Sequence, residues 1–445
     1  MVSFGPPTNH VNNRGAWASK SILSVADHAL FSGTTFLLNF LLAGFLPTAQ
    51  YGAFSVAFAV FLFLAGFDNS LVLEPVSVFA PSRYKGRAPA YLVSAVRIHL
   101  IVAGLVAIVA WFSALWVKDS LLSEALRAMA LSTPFVLTLW FLRRTAYAFM
   151  DPAGAILSSV VYLGTSLCAL LVLRSHVPLS PGTGFLALAC GSTVAVCANW
   201  RHTRMPTPAK CVTDGSGLFF RALREHWAYG KWAMLGSTLF IVIGQVQIFF
   251  AAFLGLESAG VLRALLNFVL PMTQIATAIS TFAIPALSQE FGAGCIEALK
   301  SKAHWMTFGL TAMAVIYTGI LWLGSAQIGQ LCYHGKFADH AWLLPVLALQ
   351  TVFNAFATGH AVVLRATQRP RDYLLAIAAA APVALLIAAV CVKLWGLTGA
   401  AVSMPLAALA MAVTTYHFSR RALALEVRRG LNPGLAMSAG LAGNI

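Results

Sequence analysis

Charged residues are scarce in this sequence, and the acidic ones are the scarcest. Only 10% of the 445 residues are charged, with 14 Asp and Glu against 29 Lys and Arg. A soluble globular chain carries about 25% charged residues. Hydrophobic residues make up 59% of the chain, too many to be hidden from water in a soluble fold. The composition therefore excludes an ordinary soluble domain and offers few carboxylates for a metal-dependent transferase.

Motifs that carry catalysis are missing as well. The patterns G-x-x-x-x-G-K-[ST], H-E-x-x-H and G-x-S-x-G do not occur, and no polar stretch is long enough to house a nucleotide site. The seven cysteines form no C-x-x-C pair and lie mostly within apolar runs, which argues against a disulfide framework and a zinc cage. We expect no enzyme activity, no metal and no cofactor.

Long apolar runs are abundant. Every backbone N–H and C=O inside a bilayer must be paired, so each run of roughly 20 apolar residues is a predicted transmembrane helix. The first run is longer than the apolar core of a cleavable signal, and we expect it to be retained. The predicted fold class is an all-α polytopic membrane protein of about 12 transmembrane helices. The predicted spans are 22–46, 52–73, 91–116, 127–149, 153–173, 183–200, 228–254, 259–283, 304–325, 341–363, 373–394 and 397–418.

The cations are unevenly distributed between the predicted loops. With the N-terminus inside, 23 of the 29 Lys and Arg fall on the cytoplasmic side, where loops retain cations during insertion. This asymmetry predicts a multi-pass protein of the bacterial inner membrane with both termini cytoplasmic. The net charge of +15 then meets anionic membrane lipids, and we expect no nucleic-acid partner. The six cations left for the outer side are Lys118, Arg127, Arg174, Arg263, Lys336 and Lys393.

The longest polar stretch divides the predicted spans into two sets of six. Residues 45–52 are similar to 253–260, and residues 142–145 to 364–367, as expected of diverged repeats. Each half has an even number of spans, so the repeats are parallel, with a pseudo-two-fold axis along the membrane normal and a substrate path between them. The predicted parts are a cytoplasmic N-terminus (1–21), a six-helix bundle (22–200), a cytoplasmic linker (201–227), a second six-helix bundle (228–418) and a cytoplasmic tail (419–445).

Polar side chains within the spans are the candidate site residues, because they are costly to insert into a bilayer. In the first span, Asp27 and His28 stand beside a polar stripe that includes Asn39. This stripe can serve as polar contact between packed helices. Alternatively it lines a cavity in which Asp27 and His28 titrate, so that both are candidates for gating or for coupling to proton or cation movement.

A second group of polar residues lies in spans seven, eight and ten. Arg263 opens the eighth span, where it either reaches the outer headgroups or binds an anionic substrate through its planar fork. Gln350 and Asn354 lie near mid-membrane in the tenth span. The substrate-path candidates are Arg263, Asn267, Gln274, Gln350, Asn354, Asn39 and Gln245.

Charged residues at the predicted cytoplasmic ends of the spans allow two interpretations. Asp68 and Glu74 can be helix-end charges paired with Arg83 or Lys85, or they can take part in coupling or gating. The paired Arg143 and Arg144, together with Arg365, can be simple determinants of orientation. They can also attract a diphosphate headgroup that arrives from the cytoplasmic leaflet.

Several segments resemble a known family. Residues 26–39, with the sequence ADHALFSGTTFLLN, the segment Tyr51–Phe54 and the segment Leu73–Pro75 resemble the opening of Wzx-type polysaccharide flippases. These belong to the multidrug/oligosaccharidyl-lipid/polysaccharide exporter superfamily, MOP. The stretch Leu364–Pro370 is similar to the segment that this family carries after its tenth span. The resemblance in layout extends over nearly the whole chain.

The resemblance implies a MATE-like V-shaped pair of six-helix bundles. Such a protein moves undecaprenyl-diphosphate-linked oligosaccharide, for lipopolysaccharide or exopolysaccharide, to the periplasmic leaflet by alternating access. It implies a cationic cavity, H⁺ or Na⁺ as coupling ion and other polysaccharide assembly proteins as partners. Two alternatives stay open: a drug or metabolite antiporter on the same fold, and a membrane-embedded glycan polymerase or ligase. The last would carry a large outer loop, whereas the predicted outer loops are short.

Overall fold

The computed structural model of the chain describes residues 14–80, 83–84, 87–148, 152–200, 215–367 and 369–431. Apart from short π- and 3₁₀-helical turns, their regular structure consists of α-helices. The helices are α1 (Arg14–Phe45), α2 (Thr48–Asp68), α3 (Glu74–Phe79), α4 (Ala88–Trp116), α5 (Ser120–Ala148), α6 (Pro152–His176), α7 (Thr183–Trp200), α8 (Gly215–Phe253), α9 (Leu256–Leu266), α10 (Leu270–Gly292), α11 (Ile296–Leu323), α12 (Ser325–Leu331), α13 (Leu343–Ala366) and α14 (Pro370–Leu431).

The membrane crossings follow from helix length and apolar composition. Among the described residues nine helices are long and apolar enough to span a bilayer, and α9 with the first part of α10 forms a tenth, bent by 53°. The short apolar helix α7 corresponds to the predicted sixth span. The long α14 contains the predicted spans eleven and twelve, divided at Gly396. Each of the twelve predicted spans therefore has a helical counterpart.

Gly396 makes the division of α14 possible. Its φ of 55° and ψ of −129° lie where only glycine fits without a steric penalty. Just beyond it the chain folds back so closely that a methyl group built on Gly399 would lie 1.8 Å from the carbonyl oxygen of Cys391. The last two spans are therefore joined by a tight bend at Gly396 and Gly399 and not by a longer loop.

The second span contains one turn of π-helix between α2 and α3, over Asn69–Leu73. Its last hydrogen bond joins the Glu74 N–H to the Asn69 carbonyl, five residues earlier. The next residue, Pro75, has no N–H to give, so the helical ladder is already interrupted at this point. Turns of this kind are frequent at functional sites.

The helices form two halves, α1–α7 and α8–α14. In the first, α1 packs on α6, α6 on α7 and α4 on α5; in the second, α11 packs on α13, α13 on α14 and α8 on α14. The halves meet mainly where α2 contacts α9 and α8. The largest apolar cluster draws residues from both halves, which makes this contact part of the core. The predicted all-α polytopic fold of two helical bundles is confirmed.

The predicted linker 201–227 is partly helical. Residues 201–214 lie outside the described residues, and from Gly215 the chain is already in α8, well before the predicted start of span seven at residue 228. The first turns of α8 pack on the first half. The imidazole of His226 lies 2.8 Å from the Tyr91 hydroxyl and 2.9 Å from the Leu71 carbonyl oxygen. The hydropathy pattern missed this extension because its residues include the charged Arg221, Arg224 and Glu225.

Candidate substrate pathway

A cavity of about 350 Å³ lies within the second half, between α8, α9, α10, α13 and α14. Aliphatic side chains form most of its wall, and a few polar groups converge on it. These polar groups include Gln245, Gln247, Arg263, Gln350 and Asn354. An apolar cavity with a small number of directed polar groups is the usual form of a ligand site. Its volume is near the lower end of the range that small-molecule sites occupy.

The structure brings four of the seven predicted substrate-path residues to this cavity: Arg263, Gln245, Gln350 and Asn354. Gln274, one turn away on α10, is not among the lining residues and instead interacts with His28 of the first half. Asn39 is fully buried in α1, where its amide donates to the Thr35 carbonyl at 2.8 Å. Asn39 is thus bonded within its own helix.

Arg263 gives the cavity its charge. Its side chain is buried, and its guanidinium carbon lies 5.3 Å from the centre of the Phe58 ring. The guanidinium interacts with the phenol groups of Tyr51 and Tyr333, and its Nε has no hydrogen-bond partner in the described part of the chain. Among the described residues, no Asp or Glu lines the cavity. The cavity is therefore cationic and favours an anionic ligand.

Two glutamines add unpaired acceptors to the wall. The side-chain oxygens of Gln245 and Gln247 are buried and have no hydrogen-bond donor among the described residues. A buried acceptor without a partner is costly, so these oxygens favour a ligand with hydroxyl or amide donors. Gln247 is not among the predicted substrate-path residues, although its position two residues after Gln245 on α8 is a signal that could identify it.

Asn267 takes a different role from the predicted one. It is fully buried, and its amide nitrogen donates to the hydroxyls of Tyr51 and Tyr333, each at 3.1 Å. Tyr51 belongs to α2 in the first half, whereas Asn267 and Tyr333 belong to the second. Asn267 therefore ties the halves together next to the cavity and does not line it.

The halves are in close contact at the predicted outer side. A methyl group built on Gly52 would lie 1.7 Å from the Leu256 carbonyl oxygen, and one built on Gly260 would lie 2.4 Å from the Thr48 carbonyl oxygen. These two glycines occupy matching positions of the two repeats, and each lets a backbone of the other half approach. The Lys336 ammonium also donates to the carbonyls of Ala43, at 3.1 Å, and of Leu46 at the end of α1. We call this set of contacts the outer closure.

Asp27 and Arg143 form a buried ion pair inside the first half. The Arg143 guanidinium lies 2.6 Å from the Asp27 carboxylate and 3.7 Å from the centre of the Phe31 ring. The hydroxyls of Tyr147 and Ser159 also donate to this carboxylate. The Arg143 guanidinium is thus engaged by Asp27 inside the first half, and its role in attracting a headgroup stays a prediction. The buried Nε2 of His28 has no hydrogen-bond partner among the described residues.

Among the described residues, Asp68 is paired with a histidine and not with Arg83. Its carboxylate lies 3.0 Å from His99 Nδ1, and both side chains are buried. The other ring nitrogen of His99 lies 3.4 Å from the Thr138 hydroxyl. His99 carried no sequence signal of its own, since a single histidine in an apolar span does not reveal its partner.

Glu74 lies in a polar cluster at the predicted cytoplasmic side. Asn69 donates to its carboxylate at 3.3 Å and accepts a hydrogen bond from Arg144 at 3.2 Å. Arg144 and, from the second half, Arg365 also act on Glu74 electrostatically. Arg365 itself lies over the Tyr373 ring at 4.7 Å. The expected partner Arg83 is instead paired with Glu225 at 3.1 Å, and Lys85 lies outside the described residues.

A charged cluster outside the spans joins α8 to the first half. Tyr84 donates to Glu225 at 2.8 Å, and Arg83 and Arg221 are paired with the same carboxylate. Burial and the bonded Glu225 carboxylate raise the pKa of Tyr84 to about 12. Burial lowers the pKa of His226 to about 4. His226 is therefore neutral in this contact.

The comparisons with known proteins give the fold. No family model matches the sequence, and no curated protein matches it. An inward-facing multidrug resistance MATE family transporter of the MOP superfamily aligns with a TM-score of 0.72 at 13% identity, over 92% of this chain and 99% of that one. An outward-facing transporter of the same description gives 0.66 at 12% identity, over 94% and 98%. A MOP superfamily transporter from Pyrococcus furiosus Vc1, described as having a binding pocket of reverse polarity, gives 0.66 at 14%, over 92% and 96%. The chain thus has the MATE transporter fold.

Proposed function

We propose that this protein is a transporter that flips undecaprenyl-diphosphate-linked oligosaccharide from the cytoplasmic to the periplasmic leaflet by alternating access. The observation that carries the proposal is the buried Arg263, which lines a cavity whose described wall contains no acidic residue. A diphosphate is an anion that a guanidinium binds in its planar fork. The unpaired oxygens of Gln245 and Gln247 suit the hydroxyls of a sugar.

The remaining candidates take roles around this cavity. Gln350 and Asn354 contact the cargo beside Arg263, while Arg144 and Arg365 attract its headgroup at the cytoplasmic side. Asp27, His28, Asp68 and Glu74 are the groups through which H⁺ or Na⁺ movement would be coupled. The Asp68–His99 pair is the best placed of these, because it is buried beside the π-helical turn of the second span. The protein would lie in a bacterial inner membrane, where it would work with other polysaccharide assembly proteins.

A drug or metabolite antiporter is the second candidate, because multidrug MATE transporters have this fold. The lining of the cavity argues against cationic drugs, since it contains Arg263 and no carboxylate. A membrane-embedded polymerase or ligase is disfavoured because the similar structures are transporters. Movement of small organic cations by the purified protein, with no effect on lipid-linked sugars, would favour the antiporter.

Deletion of the gene tests the proposal. Undecaprenyl-linked oligosaccharide should accumulate on the cytoplasmic face, measured by lectin binding to inverted membrane vesicles. Arg263→Gln should restore export about tenfold less well than the unaltered gene, the factor that one charge-assisted hydrogen bond supplies. Arg127→Gln is the matched control, because Arg127 is exposed and lies in the first half. Normal surface polysaccharide in the deletion strain, or full complementation by Arg263→Gln, would refute the proposal.

A further inference from the structure

Arg263 stands between the cavity and the outer closure. It belongs to α9 of the second half and lines the cavity, yet its guanidinium interacts with Tyr51 of the first half. Tyr51 is fully buried and precedes Gly52, where the backbones of α2 and α9 approach each other closely. Any opening of the outer side separates α2 from α9 and therefore removes Tyr51 from Arg263.

When the cavity is empty, losing the contact between Arg263 and Tyr51 raises the free energy of the protein. The described cavity wall contains no carboxylate that could take its place, and the Arg263 Nε is already without a hydrogen-bond partner. A buried cation that loses a polar partner pays a large desolvation penalty. The other interacting phenol, Tyr333, lies in the same half as Arg263. The empty protein is therefore held with its outer side closed.

An anion in the cavity changes this balance. Its oxygens accept charge-assisted hydrogen bonds from the guanidinium, and these are stronger than the bond that a neutral phenol accepts. A ligand shifts a conformational equilibrium only by its differential affinity for the two states, so the anion must act through contacts of Arg263 that differ between them. Arg263 contacts two residues of the first half, Phe58 and Tyr51, and of these Tyr51 offers the oxygen for which the anion competes.

We propose that the anionic group of the cargo releases the outer closure by replacing Tyr51 as the partner of Arg263. The inference rests on the proposed function for the identity of the cargo and adds how its binding is coupled to opening. Tyr51 is on this view a positioning residue: it holds Arg263 in the empty state and competes with the cargo. Coupling of this kind is reciprocal, so weakening the contact between Tyr51 and Arg263 must strengthen anion binding.

The test uses purified full-length protein in lipid nanodiscs, with inorganic diphosphate as the probe. Natural cysteines are replaced by serine, and spin labels are attached through Lys118→Cys and Lys393→Cys, exposed positions near the predicted outer ends of the two halves. Electron–electron double resonance then measures the distance between them, and calorimetry measures diphosphate affinity. Diphosphate should increase the population with the longer distance.

Two Tyr→Phe variants separate the roles. Tyr51→Phe should bind diphosphate about tenfold more tightly, the equivalent of one charge-assisted hydrogen bond, and should already populate the longer distance without it. Tyr333→Phe is the matched control, because its hydroxyl is bonded to Asn267 and to the Ala264 carbonyl within the second half. It moves with Arg263, so its removal should leave the affinity within about twofold of the unaltered protein. Arg263→Gln should abolish the response to diphosphate.

The outcomes distinguish this inference from the proposed function. Weaker or unchanged binding by Tyr51→Phe would overturn the inference, because Tyr51 would then be a ligand contact or irrelevant. Diphosphate binding without any change in the measured distance would overturn it too, while the anionic cargo of the proposed function would still stand. Absence of diphosphate binding by the unaltered protein would overturn both.

Discussion

The buried ion pair of Asp27 and Arg143 illustrates how far single residues could be interpreted from sequence. Asp27 was recognised because an acid within an apolar span needs a reason, and Arg143 because it stands at a span end. Their pairing was not foreseen, since they are 116 positions apart and periodicity along one helix gives no information about another. The same limit applies to Asp68 and His99. Sequence reveals that a buried charge needs a partner, and only the packing supplies it.

The Asp27–Arg143 pair should stabilise the first half. Asp27→Asn leaves the Arg143 guanidinium buried without its carboxylate, which typically lowers the free energy of unfolding by about 3 kcal/mol. Glu257→Gln is the control, because Glu257 is exposed at the start of α9. The measurement is the thermal unfolding midpoint of the purified protein in one detergent.

A double variant gives the second test, because it should recover part of the lost stability. Combining Asp27→Asn with Arg143→Gln removes the unpaired charge, so the double variant should be more stable than Asp27→Asn alone. The Asp27–Arg143 pair does not stabilise the first half if the double variant is less stable than Asp27→Asn. The same conclusion follows if Asp27→Asn unfolds at the same temperature as the control.

Individual helices were predictable where they contain a long apolar window, and less so where they pack on the other half. The spans of α4, α5 and α11 could be placed by hydropathy alone. The early start of α8 could not, because its first turns pack on protein. The break between α9 and α10 was not predictable either, because the two helices together are as apolar as a single continuous span.

The close contact of α2 with α9 requires that Gly52 and Gly260 have no side chain. Gly52→Ala should push the helices apart, because its methyl group would overlap the Leu256 carbonyl, and overpacking costs about 1–3 kcal/mol. We expect the distance between labels at positions 118 and 393 to lengthen. Gly104→Ala is the matched control, since nothing lies within 4 Å of its added methyl. Equal distances in the two variants would refute a tight contact at Gly52.

The attachment of α8 to the first half should depend on pH through His226. Its pKa is lowered to about 4 in the folded protein by burial, against an ordinary 6.5. The unfolded chain therefore binds the proton first, and stability is lost as the pH falls from about 6.5 towards 4. At higher pH this contribution is fully present.

His226→Gln removes this part of the pH dependence. The glutamine amide can still bond to the Leu71 carbonyl, but it does not titrate. The drop in the unfolding midpoint between pH 7 and pH 5 should be smaller in this variant than in the unaltered protein, whereas His176→Gln, at an exposed position, should behave like the unaltered protein. A drop of the same size in all three proteins would refute the role of His226.

At the scale of the whole molecule, the cation asymmetry predicts which side of the membrane each end of the bundle faces. The outer closure and the alternating-access proposal both depend on this orientation. Lys393 and Arg421 are exposed near the two opposite ends of the twelfth predicted span. Lys393 precedes the bend at Gly396, on the predicted outer side, and Arg421 follows the span on the predicted cytoplasmic side. In a background without natural cysteines, Lys393→Cys should react with a membrane-impermeant maleimide in spheroplasts. Arg421→Cys should react only after the membrane is permeabilised. The reverse pattern would mean that the protein has the opposite orientation in the membrane and that the proposed direction of transport is wrong.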